Sequence, residues 1–191
     1  MMISSNPPLK ELVPVTPRGE ATRKKLLSSA EIEFGSKGFP AASVSSITQR
    51  ADVGQGTFYL YFHSKEEVFA TLVRDIGVEQ CRQIAEADAA GKDGERRVAT
   101  QLVEFVASQP GRHRILSEAQ FVDGAAFREA LEKLIATVAS QLQGRGSRAA
   151  AESSLRAAAL VGAAANAALT HCIWGGKPVS KSLIDTVIGT A

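Results

Sequence analysis

Apolar residues recur three and four positions apart through most of this chain, which is the period of helices with one buried face. Leu26, Leu27, Ala30 and Phe34 predict a first helix over 18–37, ended by Gly38. A left-handed Gly38 would bring Phe39 onto Phe34, the contact that accompanies a Schellman ending. Val44, Ile47 and Ala51 predict a short helix opened by Ser43, whose hydroxyl can accept an early free N–H, and closing near Asp52. Val53 would plug the turn that follows, and Gly54 would supply the backbone freedom for the change of direction. A further short helix starts at Gln55, with Phe58 and Phe62 on its core face and Tyr61 at the edge. Ser64-Lys65-Glu66-Glu67 reads as a capping box, fixing the start of a long helix that continues through Phe69, Leu72, Val73 and Ile76 and fades between residues 86 and 91.

Two short helices at a tight turn followed by a capped third are the arrangement that presents a helix to the DNA major groove. The face opposite Phe58 and Phe62 carries Gly56 and Leu60, flanked by Thr57 and Tyr59. Glycine costs roughly 1 kcal/mol in a helix interior, so Gly56 is best explained if the backbone must approach a phosphate or base edge. Gln55 can bond adenine bidentately, Thr57 can reach a phosphate or a thymine methyl, and Leu60 can touch a thymine methyl. Ser43, beside early free amides, can seat a phosphate, and Lys65 is expected to contact one.

The later segments are helical as well. Val98, Leu102, Phe105 and Val106 predict a helix over 95–108, and Pro110-Gly111 breaks the pattern. Short helical turns follow over 114–121, then a longer helix over 125–143 carrying Phe127, Leu131, Leu134, Ile135 and Val138. After Gly144-Arg145-Gly146 comes a helix over 147–174 whose centre, residues 157–165, has almost no bulky or charged side chain. Arg156, Asn166 and His171 interrupt it, leaving fewer than the roughly 18 consecutive apolar residues of a membrane span, so a helix-packing interface is expected and no membrane. A last helix over 181–188 offers Leu183, Ile184, Val187 and Ile188 as an apolar strip.

The string over Gly56–Glu66, with Ala30, Phe34, Gly38, Phe39, Ser43, Ile47, Ala51 and Val53 upstream, resembles the N-terminal domain of the TetR family of bacterial transcriptional regulators. Two positions depart from that pattern. Asp52 stands where glycine is common, and Gly54 where serine commonly caps the recognition helix. The resemblance implies an all-α fold: an arm over 1–17, a three-helix DNA-binding domain with a helix-turn-helix over 18–66, and a helical effector-binding and dimerisation domain over 67–191. It implies DNA contacts by Tyr59 and Tyr61, beside those argued above for Ser43, Gln55, Gly56, Thr57, Leu60 and Lys65. It also implies a homodimer formed through the last two helices, a double-stranded DNA operator with inverted repeats, and an unknown small molecule in an apolar cavity. Candidates to line that cavity are Phe105, Leu116, Gln120, Phe121, Phe127, Leu131, Asn166, His171 and Trp174. A ligand-responsive repressor is the reading that results. A helical small-molecule carrier or interaction module whose helix-turn-helix no longer reads DNA is the alternative.

Composition changes this picture little. With 191 residues and 45% hydrophobic content the chain can bury a sizeable core, and its net charge of +2 does not announce a nucleic-acid binder. Residues 18–67 hold seven Lys or Arg against six Asp or Glu, so placement must carry specificity: Arg18, Arg23, Lys24 and Lys25 at one helix start, Lys65 at another. Cys81 and Cys172 have no metal or disulfide spacing, and with no signal peptide or anchor read in the first 17 residues the cytoplasm is the expected location. His63, His113 and His171 stand apart from other ligating residues, and each reads as a structural or pocket histidine rather than a metal ligand. Without a phosphate-cradling glycine loop, a nucleophile elbow or H-E-x-x-H, no enzyme, metal or cofactor is expected.

Overall fold

In a computed structural model, residues 16–87, 93–143 and 150–189 are described, and among them the regular structure is entirely helical. The elements are α1 (Pro17–Lys37), α2 (Val44–Arg50), α3 (Gln55–Phe58), α4 (Lys65–Glu86), α5 (Gly94–Ser108), α6 (Pro110–Val122), α7 (Gly124–Gln143), α8 (Ala150–Ala168) with a π-helical continuation over Leu169–Trp174, and α9 (Lys181–Ile188). The expected arm falls mostly outside the described residues, and α1 already begins at Pro17 behind a Thr16 cap.

Local chemistry sets the ends of these helices. Ser43 Oγ accepts the Ser46 N–H at 3.1 Å and Ser46 Oγ accepts the Ser43 N–H at 3.2 Å, a reciprocal cap that opens α2. Ser64 accepts the Glu67 N–H at 3.2 Å as expected. Glu67 does not return to Ser64: its carboxylate takes the His63 N–H at 2.5 Å, one residue further out. Gly38 has φ +84°, and its N–H returns to Phe34 O at 2.8 Å, so the Phe34–Phe39 contact forms with ring centroids 5.7 Å apart. The two-bond Schellman ending is absent there because the Phe39 N–H is donated to Glu118 Oε2 of α6 at 2.6 Å. That ending closes α2 instead: Val53 N–H reaches Thr48 O and Asp52 N–H reaches Gln49 O, with Asp52 at φ +54°. The left-handed residue of the helix-turn-helix is therefore Asp52. Gly54 is extended at φ −70°, so the expectation that it provides the unusual backbone geometry is corrected.

Phe34, Phe58, Phe62 and Phe69 are fully buried with Leu26 and Ile47, and this cluster joins α1 to α4. Glu33, also buried, binds Lys37 Nζ at 2.7 Å and Arg50 Nε at 2.8 Å, tying α2 to α1. In the carboxy-terminal half α4, α5, α6, α7 and α8 surround one core, and α9 packs on α5 and α8. α4 crosses α7 tightly, since a Cβ on Gly77 would stand 3.0 Å from Ala130 Cβ. Arg156 of α8 pairs with Glu95 at 2.7 Å and donates to Ile188 O at 2.6 Å, fixing α8 to α5 and α9.

Pro110 does not leave a break followed by short turns. It opens α6, where proline's missing N–H costs nothing. α6 then lies across the end of α1: Arg112 pairs with Glu31 at 2.7 Å and Arg114 donates to Ser36 O at 2.7 Å. Between them Gly111 and Gly35 meet backbone to backbone, so that a Cβ on Gly35 would stand 3.0 Å from Gly111 Cα. The continuous helix over Ala151–Trp174 is long and apolar enough, by length and composition, to cross a membrane, and in the fold Ala157, Leu160, Ala164 and Ala168 are buried against neighbouring helices.

Candidate nucleic-acid interface and cavity

The surface over residues 55–61 divides as the spacing predicts. Phe58 and Phe62 point inward, Gln55, Gly56, Tyr59 and Leu60 are exposed, and Thr57 and Tyr61 are half-buried at the boundary. Leu60 is 68% exposed, an apolar side chain left largely to solvent. A Cβ placed on Gly56 would meet nothing within 4 Å, and its φ is ordinary. Among the described residues, neither packing nor backbone conformation requires glycine there. α3 is held from behind by the Phe58–Phe62 ring pair and by Arg23, whose guanidinium carbon sits 5.2 Å from the Phe62 ring centroid.

Lys65 is placed differently from a free phosphate contact. Its ammonium donates to Phe39 O at 2.9 Å and Ala42 O at 3.0 Å and stands 4.1 Å from the Phe39 ring centroid. Two of its three N–H groups thus pin the segment before α2, leaving one to face outward. Ser43, adjacent to Ala42, is exposed while its side chain caps α2.

Residues 26–72 match the sequence pattern of bacterial regulatory proteins of the tetR family. Over that stretch the chain is similar to the TetR-family amino-terminal domain. An uncharacterized HTH-type transcriptional regulator of Bacillus subtilis, YdgC, is 48% identical over 58 residues, and the matched stretch spans 30% of the length of each chain. Solved structures extend the likeness to the fold of both halves. A transcriptional regulator from Rhodococcus sp. Rha1 superposes with TM-score 0.72 at 20% identity, covering 87% of this chain and 94% of that one. The fatty acid degradation regulator FadR of Bacillus halodurans superposes with TM-score 0.70 at 17% identity, covering 93% and 95%. Neither departure from the TetR pattern disturbs the domain: Asp52 adopts the left-handed turn itself, and α3 begins at Gln55 without a side-chain cap.

Behind this domain the second half holds a half-open cavity of about 400 Å³, within the size range of small-molecule sites. Of the nine residues expected there, Phe105, Leu116, Gln120, Phe127, Leu131 and Asn166 line it. Three do not. Phe121 is 85% exposed, one position round α6 from the lining residue Gln120. His171 and Trp174 fall in the π-helical continuation of α8 and do not line the cavity, and Trp174 is 73% exposed.

Sequence reasoning missed Gln80 and Ser117 as lining residues, and read His113 only as a structural or pocket histidine without placing it in this cavity. For Gln80 a signal existed: it is a polar residue four positions from both Ile76 and Ile84 on the buried stripe of α4. His113 stands with its Nε2 3.4 Å from Ser117 Oγ, and burial pushes its imidazole below the usual value. At neutral pH it is an uncharged donor and acceptor.

Proposed function

We propose that the protein is a DNA-binding transcriptional regulator, a homodimer whose two α3 helices read an inverted-repeat operator and whose occupancy of DNA falls when a small molecule fills the cavity. The observation that carries it is the exposed face of Gln55, Gly56, Tyr59 and Leu60, with a glycine that no described residue crowds. Half-sites about one helical turn apart, roughly 34 Å, or a related multiple, match a two-fold dimer. Support for the dimer comes from the outer face of α8, where Leu155, Ala159, Gly162, Ala163 and Ile173 form an exposed strip of apolar and small residues. A repressor released by its ligand is the mode this arrangement suits, acting in the cytoplasm where the DNA is. The ligand can act only through unequal affinity for DNA-competent and DNA-incompetent states.

Fluorescence anisotropy with the DNA next to the protein's own gene tests this reading. Specific binding should be lost or weakened at least about tenfold in Tyr59→Ala and in Gln55→Ala, the scale of one to three kcal/mol per base contact. A protein that ignores every such fragment, or variants that bind as well as the parent, would leave a helical carrier in its place.

A further inference from the structure

The cavity contains one conspicuously unmatched group. Gln80 of α4 is only 7% exposed, lines the cavity, and its side-chain amide has no hydrogen-bond partner among the described residues. Its amide atoms still reach the open space of the cavity, so water or an occupant must supply the bonds that the described residues do not. The residue lies on a stripe otherwise built from Leu72, Val73, Ile76 and Ile84, where leucine would need no such bonds. An occupant that supplies those bonds accounts for it.

The rest of the lining narrows the occupant. No described residue facing the cavity is Asp, Glu, Lys or Arg, and the walls are mostly aliphatic and aromatic. His113 is kept neutral by burial, so it does not supply a cation. A carboxylate, phosphate or ammonium would therefore enter without a counterion, which low-dielectric surroundings oppose strongly. At the roughly 30 Å³ per molecule of liquid water, the space suits about a dozen non-hydrogen atoms.

We infer that the cavity takes an uncharged, mainly apolar molecule of about that size, whose carbonyl or hydroxyl group hydrogen-bonds the Gln80 side-chain amide. His113 and Ser117 of α6 provide a second neutral polar station on the same wall system, so that the occupant contacts α4 and α6 together. This rests on the cavity being the effector site of the proposed regulator.

Isothermal titration calorimetry on the full chain, without DNA, compares four probes of equal length: 2-nonanone, 1-nonanol, nonanoate and nonyltrimethylammonium. The ketone or the alcohol should bind at least about tenfold more tightly than either ion at neutral pH. Gln80→Leu should weaken the better neutral probe by about five- to tenfold while circular dichroism stays unchanged. The inference is overturned if an ion binds as tightly as the neutral probes, if neither neutral probe binds, or if Gln80→Leu leaves their affinity intact. Operator anisotropy on the same preparation, with no probe added, reports separately on the DNA reading, so failure of one does not pass for failure of the other.

Discussion

Glu33 is 2% exposed at the joint of α1 and α2, with Lys37 and Arg50 on its two oxygens. Hydrogen bonding to Lys37 and then Arg50 outweighs burial and holds its carboxyl at about 2. Because the folded value lies below the unfolded one, the stabilisation is complete above about pH 4.5 and is lost as pH falls toward 2. Its partners are half-exposed, so about 1–3 kcal/mol is at stake, and Glu33→Gln should remove it near neutrality and flatten the acid limb of a thermal-melt series. Asp52 invites the opposite change. It holds φ +54° without being glycine, and Asp52→Gly should raise stability by up to about 1 kcal/mol in chemical denaturation, with α2 and α3 unchanged.

Among the helices, α6 has two faces with different duties. Leu116, Ser117 and Gln120 look into the cavity, while Arg112, Arg114 and Glu118 grip the end of α1 and the residue that follows it. Glu118→Ala would strand the Phe39 N–H, lower stability by about 1–3 kcal/mol, and loosen the seat of the Phe34–Phe39–Phe69 cluster; hydrogen exchange at Phe39 would read it. None of this was legible in the sequence, because Glu118 and Phe39 are 79 residues apart and no local period links them. By contrast α9 could be read in full, its apolar strip bounded by a Ser180 cap and Gly189. The exposed face of α3 was legible for a similar reason: Phe58 and Phe62 lie four apart and declare which side is inward. The cavity was only partly legible: on α8 its lining follows Val161, Ala165 and Leu169, and at about 3.6 residues per turn His171 and Trp174 already fall on the other side of the helix.

For the assembled protein, the deciding quantity is how many copies act together. Leu155 is exposed at one end of the α8 strip, with Ile173 near the other. Leu155→Glu should shift sedimentation at micromolar concentration from dimer to monomer and weaken operator binding far more than it changes the melting temperature, since a single half-site contributes only part of the affinity. A parent protein that sediments as a monomer would remove the two-fold operator from the proposal.

The meeting of Gly35 with Gly111 gives the two halves an unusual kind of junction. Side chains elsewhere can absorb a small displacement by changing rotamer, but main chain against main chain has no such slack. At that point α6 meets the main chain of α1 directly, a contact between the cavity-bearing half and the amino-terminal domain with no side chain between them.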